Sequence, residues 1–187
     1  MRIIAGTWRG RKLAAPKGDA TRPTANRMRE TLFNMLNSRL GSFEDLRIAD
    51  LFAGSGALGF EALSRGATHC HFVEDNREAV EVIRSNISQL EIRDRCSVQA
   101  GSVMHLGPAK SPYDLILLDP PYGTAAGCVA LERLLRHSWI GPATWIALET
   151  GAKEDTAVKG LTVEAERQVG KGKLTLMRLD QPDAHSA

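Results

Sequence analysis

Along most of this chain, short apolar runs alternate with longer stretches whose apolar residues recur every three or four positions. The runs at 48–52, 69–73, 97–100, 114–118 and 145–148 have strand length, and most are followed at once by an acid or a glycine. Between them, 54–65, 77–90 and 128–137 read as helices, the second with Ala79, Val82, Ile83, Ile87 and Leu90 on one face. An earlier helix starts with Thr24 as N-cap, carries Met28, Thr31, Leu32, Met35 and Leu36 on one side, and ends at Gly41. Repeated strand–helix units predict an α/β fold with a mostly parallel sheet covered on both faces. Residues 161–167 and 173–179 alternate instead, and Val169-Gly170-Lys171-Gly172 between them predicts a C-terminal antiparallel hairpin. Segments 2–6 and 11–15, joined by Thr7-Trp8-Arg9-Gly10, predict a basic β-hairpin at the N-terminus. One domain is expected, with the hairpin extension over 1–23, a core over 24–180 and a flexible tail over 181–187.

The fourth run stops at Asp119-Pro120-Pro121-Tyr122. An apolar run ended by an acid, two prolines and an aromatic predicts a buried strand opening into a rigid loop. Two prolines fix φ and remove two backbone donors. Carbonyl acceptors then stand beside one carboxylate and one flat ring. Such a loop suits a planar group bearing an amine, which needs acceptors for its N–H bonds and a face to stack on. A plain strand-to-loop turn could use the same residues, so a second motif is needed.

That motif is Gly54-Ser55-Gly56-Ala57-Leu58-Gly59, a G-x-G-x-x-G between a strand and a helix, with Glu74 closing the next strand. Gly54 and Gly56 allow close backbone approach to a ligand, Gly59 allows close helix–strand packing, and the acid can grip ribose hydroxyls. Dinucleotides and S-adenosylmethionine both use this arrangement. Asp50, four residues before Gly54, suits a cationic aminoacyl sulfonium better than a pyrophosphate. The Asp119 loop serves methyl transfer to an amine and has no part in hydride transfer. S-adenosylmethionine is therefore the expected cofactor. Asp50, Glu74, Ser102 and Asp119 fall at or near the carboxyl ends of predicted strands, where such sheets bind ligands.

Composition adds limits. With 187 residues, 43% hydrophobic and 25% charged, the chain reads as an ordinary soluble globule. No apolar stretch reaches membrane-spanning length, and no signal-type apolar region follows Arg2. Cys70, Cys96 and Cys128 are scattered and the five histidines form no ligand set, so no metal is expected and a reducing cytoplasm fits. The net charge of +2 hides an asymmetry: residues 1–39 carry nine basic and two acidic residues, +7, against −5 for the remainder. A basic arm on a slightly acidic body suggests a polyanion partner, although a solvated N-terminus without function would look the same. Trp8 beside Arg9 reads either as a base-stacking tip or as a ring packed on the body.

TRPTANRMRETLFN, DLFAGSGALGFEALSRGA, FVED and LILLDPPY together resemble the RsmD family of bacterial small-subunit rRNA guanine-N2 methyltransferases, from about Arg2 to Leu179. The opening RIIAGTWRGRKL resembles that family's basic hairpin. The resemblance implies a Rossmann-like class I methyltransferase fold with a seven-stranded sheet. It implies methylation of one guanine amine in 16S rRNA, in the small subunit or its assembly intermediate. By motif, Asp50, Ala53, Gly54, Ser55 and Gly56 would line the methionine end, Glu74 the ribose, and residues around Ser102 the adenine edge. Many such enzymes have an Asp where Ser102 stands. Asp119, Pro120, Pro121 and Tyr122 would hold the target base. Thr24 is counted with the cofactor contacts, and Arg9, Arg11, Lys12, Arg22 and Arg27 with the RNA contacts. A monomer is expected. The alternatives are an adenine-N6 DNA methyltransferase, a non-catalytic nucleotide-binding assembly factor and a dinucleotide oxidoreductase. The first lacks a segment large enough for a DNA-recognition domain, and the intact DPPY argues against the second.

Overall fold

The computed structural model describes residues 1–16 and 23–181. Helix α1 (Pro23–Leu40) precedes β1 (Arg47–Leu51), α2 (Ala57–Ser64), β2 (His69–Glu74), α3 (Arg77–Leu90) and β3 (Cys96–Ala100). Then come β4 (Leu115–Leu118), α4 (Ala126–Arg136), β5 (Trp145–Gly151), β6 (Leu161–Val169) and β7 (Gly172–Leu179). The strands form one sheet in the order β3-β2-β1-β4-β5-β7-β6. All neighbours pair in parallel except β7, which is antiparallel to both β5 and β6. The expected α/β class, seven strands and C-terminal hairpin are all present. No helix among the described residues is long and apolar enough to cross a membrane.

Strand side chains alternate between faces, so each central strand feeds two cores. Ile48, Phe72, Leu115, Leu117, Leu174 and Leu176 pack with α1, α2 and α3. Ala49, Leu51, Val73, Ile116, Leu118, Ile146 and Leu148 pack with α4 and the Trp139 segment. Asp50 and Glu74 share the pleat of Ile48 and Phe72, so both carboxylates rise on the α2 side of the sheet.

At the N-terminus the structure corrects the helix cap and settles how the hairpin sits. Helix α1 starts at Pro23 rather than being capped by Thr24, since a proline in the first turn wastes no hydrogen bond. Arg22 and residues 182–187 lie outside the described residues, so the tail expectation and one proposed RNA contact are not described. The expected N-terminal hairpin is present but short: Arg2 and Lys12 form an antiparallel bridge, and Ile3 N donates to the Arg11 carbonyl at 3.0 Å, Gly10 N to that of Ile3 at 2.9 Å and Leu13 N to that of Met1 at 3.0 Å. Much of its backbone also bonds to helix side chains. The Glu61 carboxylate accepts from Ile4 N at 2.8 Å and Ala5 N at 3.0 Å. Ser64 accepts from Trp8 N and donates to the Ala5 carbonyl. Asn86 holds both backbone groups of Ala14. Trp8 packs on the body with the Arg95 guanidinium 5.3 Å above its ring, which rules out the exposed stacking tip.

Glu61 is 1% exposed and also pairs with Arg65 at 2.9 Å and faces Arg29 at 4.0 Å. Removing it leaves two cations and two arm N–H groups without their acceptor. Glu61→Ala is expected to cost about 3–5 kcal/mol in urea unfolding. It should also expose the arm to limited proteolysis before the core is cut.

Candidate active site

Strands β1 and β4 are neighbours whose following connections run to opposite sides of the sheet, so a crevice opens beyond their carboxyl ends. It is a cleft of about 570 Å³, lined among others by Phe52, Glu74, Asp75, Asp119, Tyr122 and Glu149. Most of its titratable lining is acidic.

The glycine-rich turn stands beside the cleft, tied to it through Glu74. Gly54 and Gly56 take φ of +54° and +77°, which delays the start of α2 to Ala57. No atom lies within 4 Å of where a Gly54 side chain would begin, so the backbone there is open to a ligand. Gly59 is the opposite case: a Cβ would strike the Phe72 ring and come within 2.6 Å of Cys70 Sγ, so α2 lies hard against β2. The turn is held from below. One Glu74 oxygen accepts from Gly54 N at 2.7 Å and the other from Asn76 N at 2.8 Å. Asp50, 1% exposed, accepts from Gly59 N at 2.8 Å. Burial pushes the Asp50 carboxyl well above the usual range; the Gly59 bond opposes this, and the charges of Asp119 and Glu74 add to it. Ala53 donates to the Val73 carbonyl at 3.1 Å and accepts from Gly56 N at 2.7 Å. Ser55 is buried, and its carbonyl accepts from Asn86 Nδ2 at 3.4 Å.

The Asp119 loop forms part of the cleft wall. Pro120 is buried while Asp119, Pro121 and Tyr122 are exposed. The Pro121 carbonyl accepts from the Thr124 hydroxyl at 2.7 Å, whereas that of Pro120 has no partner among the described residues. The Tyr122 hydroxyl donates to the Glu149 carboxylate, leaving the ring 46% exposed. Burial and this acidic neighbour push the phenol up. Burial raises Glu149 as well, against the pull of the tyrosine bond. Glu154 accepts from Gly123 N at 2.8 Å and Gly151 N at 2.7 Å, tying the loop to the end of β5.

Glu74, Asp119, Pro120, Pro121 and Tyr122 thus meet in one cleft, with Gly54 attached through Glu74. Asp50 lies beneath the turn rather than in the cleft wall. Ser102 stands beyond β3, and its hydroxyl accepts from Met104 N at 3.2 Å, capping a short 3-10 turn (Val103–His105). Arg9, Arg11 and Lys12 are exposed on the docked arm and Arg27 on α1, while the Thr24 side chain is not described. The roles of Glu149 and Glu154 in the loop, and of Asn86 behind the turn, were missed. Glu149 carried one signal, an acid closing a strand as Glu74 does; the other two carried none.

A family model described as Conserved hypothetical protein 95 matches residues 1–178. Ribosomal RNA small subunit methyltransferase D of Haemophilus influenzae is 37% identical over 158 residues, covering 80% of this chain and 78% of that protein. Its namesake in Escherichia coli K12 is 35% identical over 150 residues, covering 80% and 74%. A solved structure named "Putative methyltransferase yhhF from Escherichia coli" superposes with a TM-score of 0.85 at 32% identity, covering 96% of this chain and 98% of that one.

The buried Asp50 has a sign that can be checked. Its folded pKa is raised, so the native state holds the proton more tightly and stability falls as pH climbs above the ordinary value of about 3.9. Asp50→Asn keeps an oxygen for Gly59 N–H and removes the buried charge. In denaturant titrations the variant is expected to match or exceed the parent at neutral pH, with the gap opening as pH rises from 4. A variant less stable than the parent at neutral pH would refute this.

Proposed function

We propose that this chain, which belongs to the RsmD family named by its ribosomal RNA small subunit methyltransferase D relatives, transfers a methyl group from S-adenosylmethionine to the N2 amine of a guanine in 16S rRNA. The observation that carries the reading is the meeting, in one acidic cleft at the sheet's switch point, of the Asp119-Pro120-Pro121-Tyr122 loop with Glu74, the carboxylate that holds the glycine-rich turn. The substrate is the small subunit or its assembly intermediate in the cytoplasm, with Arg9, Arg11, Lys12, Arg22 and Arg27 as contacts to RNA phosphates.

The residues fit the cofactor. Open space at Gly54 admits close backbone contact, Glu74 stands beside it for the ribose hydroxyls, and the acidic lining suits a sulfonium cation. Asp50 acts from beneath, fixing the turn at Gly59 and adding negative potential. Ala53, Ser55 and Gly56 shape the methionine end, and the segment around Ser102 edges the adenine. S-adenosylmethionine supplies an activated methyl group, so the protein's part is positioning and electrostatics.

A guanine amine is a weak nucleophile because its lone pair is delocalised into the ring. The Asp119 carboxylate and the Pro120 carbonyl accept its two N–H bonds and draw the nitrogen toward tetrahedral geometry. The exposed Tyr122 ring stacks on the base, and its bond to Glu149 sets the ring's orientation. The proton that N2 loses passes to Asp119 or to water. Because the base must leave its stack to enter the cleft, an unpaired nucleotide is the favoured target.

The test is transfer of labelled methyl from S-adenosylmethionine to small subunits from a strain lacking this protein, followed by nucleoside mass spectrometry. N2-methylguanosine is expected; N6-methyladenosine or an unlabelled subunit would overturn the reading. Asp119→Ala should lower kcat by about 100-fold or more while calorimetry finds cofactor affinity within a few-fold of the parent. Glu74→Ala should weaken cofactor binding by about 1.5–3 kcal/mol, roughly 10- to 150-fold in Kd, with a smaller effect on turnover at saturating cofactor.

A further inference from the structure

Next to the Tyr122 loop, α1 and the tip of the β6–β7 hairpin enclose a polar groove of about 480 Å³. Arg27, Asn34 and Ser38 line it from the helix, and Arg167 and Gln168 from the hairpin. Both arginines are exposed, and neither guanidinium has a hydrogen-bond or ion-pair partner among the described residues. Nearby acids are engaged or face elsewhere. Glu166 pairs with Lys173 at 3.1 Å, Glu164 lines a separate groove, and Glu30 faces the N-terminal arm. Two uncompensated guanidinium forks therefore converge on one trough, and such forks match the oxygens of phosphate groups.

The groove's position gives it meaning. Strand β7 begins at Gly172, where a Cβ would meet Met28 of α1 and would stand 2.5 Å from the Tyr122 hydroxyl. Met28 follows Arg27 in the helix. Gly170, on the groove's rim, is two residues from Gly172, about 7 Å of extended chain. The trough thus opens beside the loop that would hold the base. An RNA strand whose target nucleotide is splayed against Tyr122 must run away from that loop in both directions, and this trough is a positively charged path for it.

We propose that the groove is an RNA backbone subsite, taking the phosphates of single-stranded nucleotides flanking the target guanine, with Arg27 and Arg167 as the phosphate ligands. It rests on the RNA methyltransferase reading above and adds to it Arg167 and the hairpin tip. The arm and this groove would then hold the RNA on two sides of the cleft.

The test compares Arg27→Ala/Arg167→Ala with Lys110→Ala/Lys159→Ala, which removes the same charge at exposed positions lining neither the groove nor the cleft. A fluorescein-labelled single-stranded oligoribonucleotide is titrated across a range of salt, and methyl transfer is measured on small subunits. The arginine pair should weaken oligoribonucleotide binding about ten-fold at low salt and lower the slope of log K against log salt by about 1.4, roughly 0.7 per phosphate contact. KM for subunits should rise while kcat and cofactor Kd stay within two-fold. The lysine pair should change none of these. Parental salt slope and KM in the arginine variant, or an equal shift in the lysine variant, would overturn the subsite. If the parent binds the oligoribonucleotide through these arginines yet methylates no subunit, the catalytic reading fails and the groove stands. If the parent turns over and the arginine variant matches it, the groove alone fails.

Discussion

Two backbone N–H groups of the glycine-rich turn are gripped by carboxylates that rise from adjacent parallel strands, Glu74 at Gly54 and Asp50 at Gly59. The strands stand in fixed register, so the two acids set where the turn lies and how α2 leaves it. Helix α2 in turn presents Glu61 and Ser64, which hold the N-terminal arm. One pair of carboxylate bonds at the sheet's rim therefore governs the glycine-rich turn and, one helix further on, the arm. Burying a carboxylate such as Asp50 is costly for folding.

The same device recurs on the other side of the crevice. Glu149 ends its stretch of β5 against Tyr122, and Glu154 ties the backbone of Gly123 to that of Gly151. The prolines make the Asp119 loop stiff, and these two acids decide where the stiff loop points. On each side of the crevice a short segment is thus held by acids from β1, β2 or the β5 region.

Much of this was legible in the residues. The acids closing the apolar runs, Glu74 and Asp119, stood at the strand ends where ligands bind, and the glycine spacing marked a place where helix and strand nearly touch, at Gly59. The C-terminal hairpin was readable from its alternation. What could not be read were contacts between polar residues far apart in the chain. Glu61, Ser64 and Asn86 look in sequence like solvated helix positions, yet they are at most 1% exposed because the arm lies over them. The arm itself carried the alternation of a hairpin. Its backbone bonds across its own turn and, in addition, to side chains of α2 and α3. Glu154 sits in a loop with no periodicity to mark it.

The arm's anchors have a bearing on the order in which the chain assembles. Ile4 bonds to a side chain 57 residues further on, and Ala14 to one 72 residues further on. The hairpin's own bonds are local, but docking it closes long loops, and closing such loops is slow. The arm's bonds to Glu61, Ser64 and Asn86 can form only once α2 and α3 have packed on the sheet. The arm is therefore among the last segments to take its place, after the two helices that hold it.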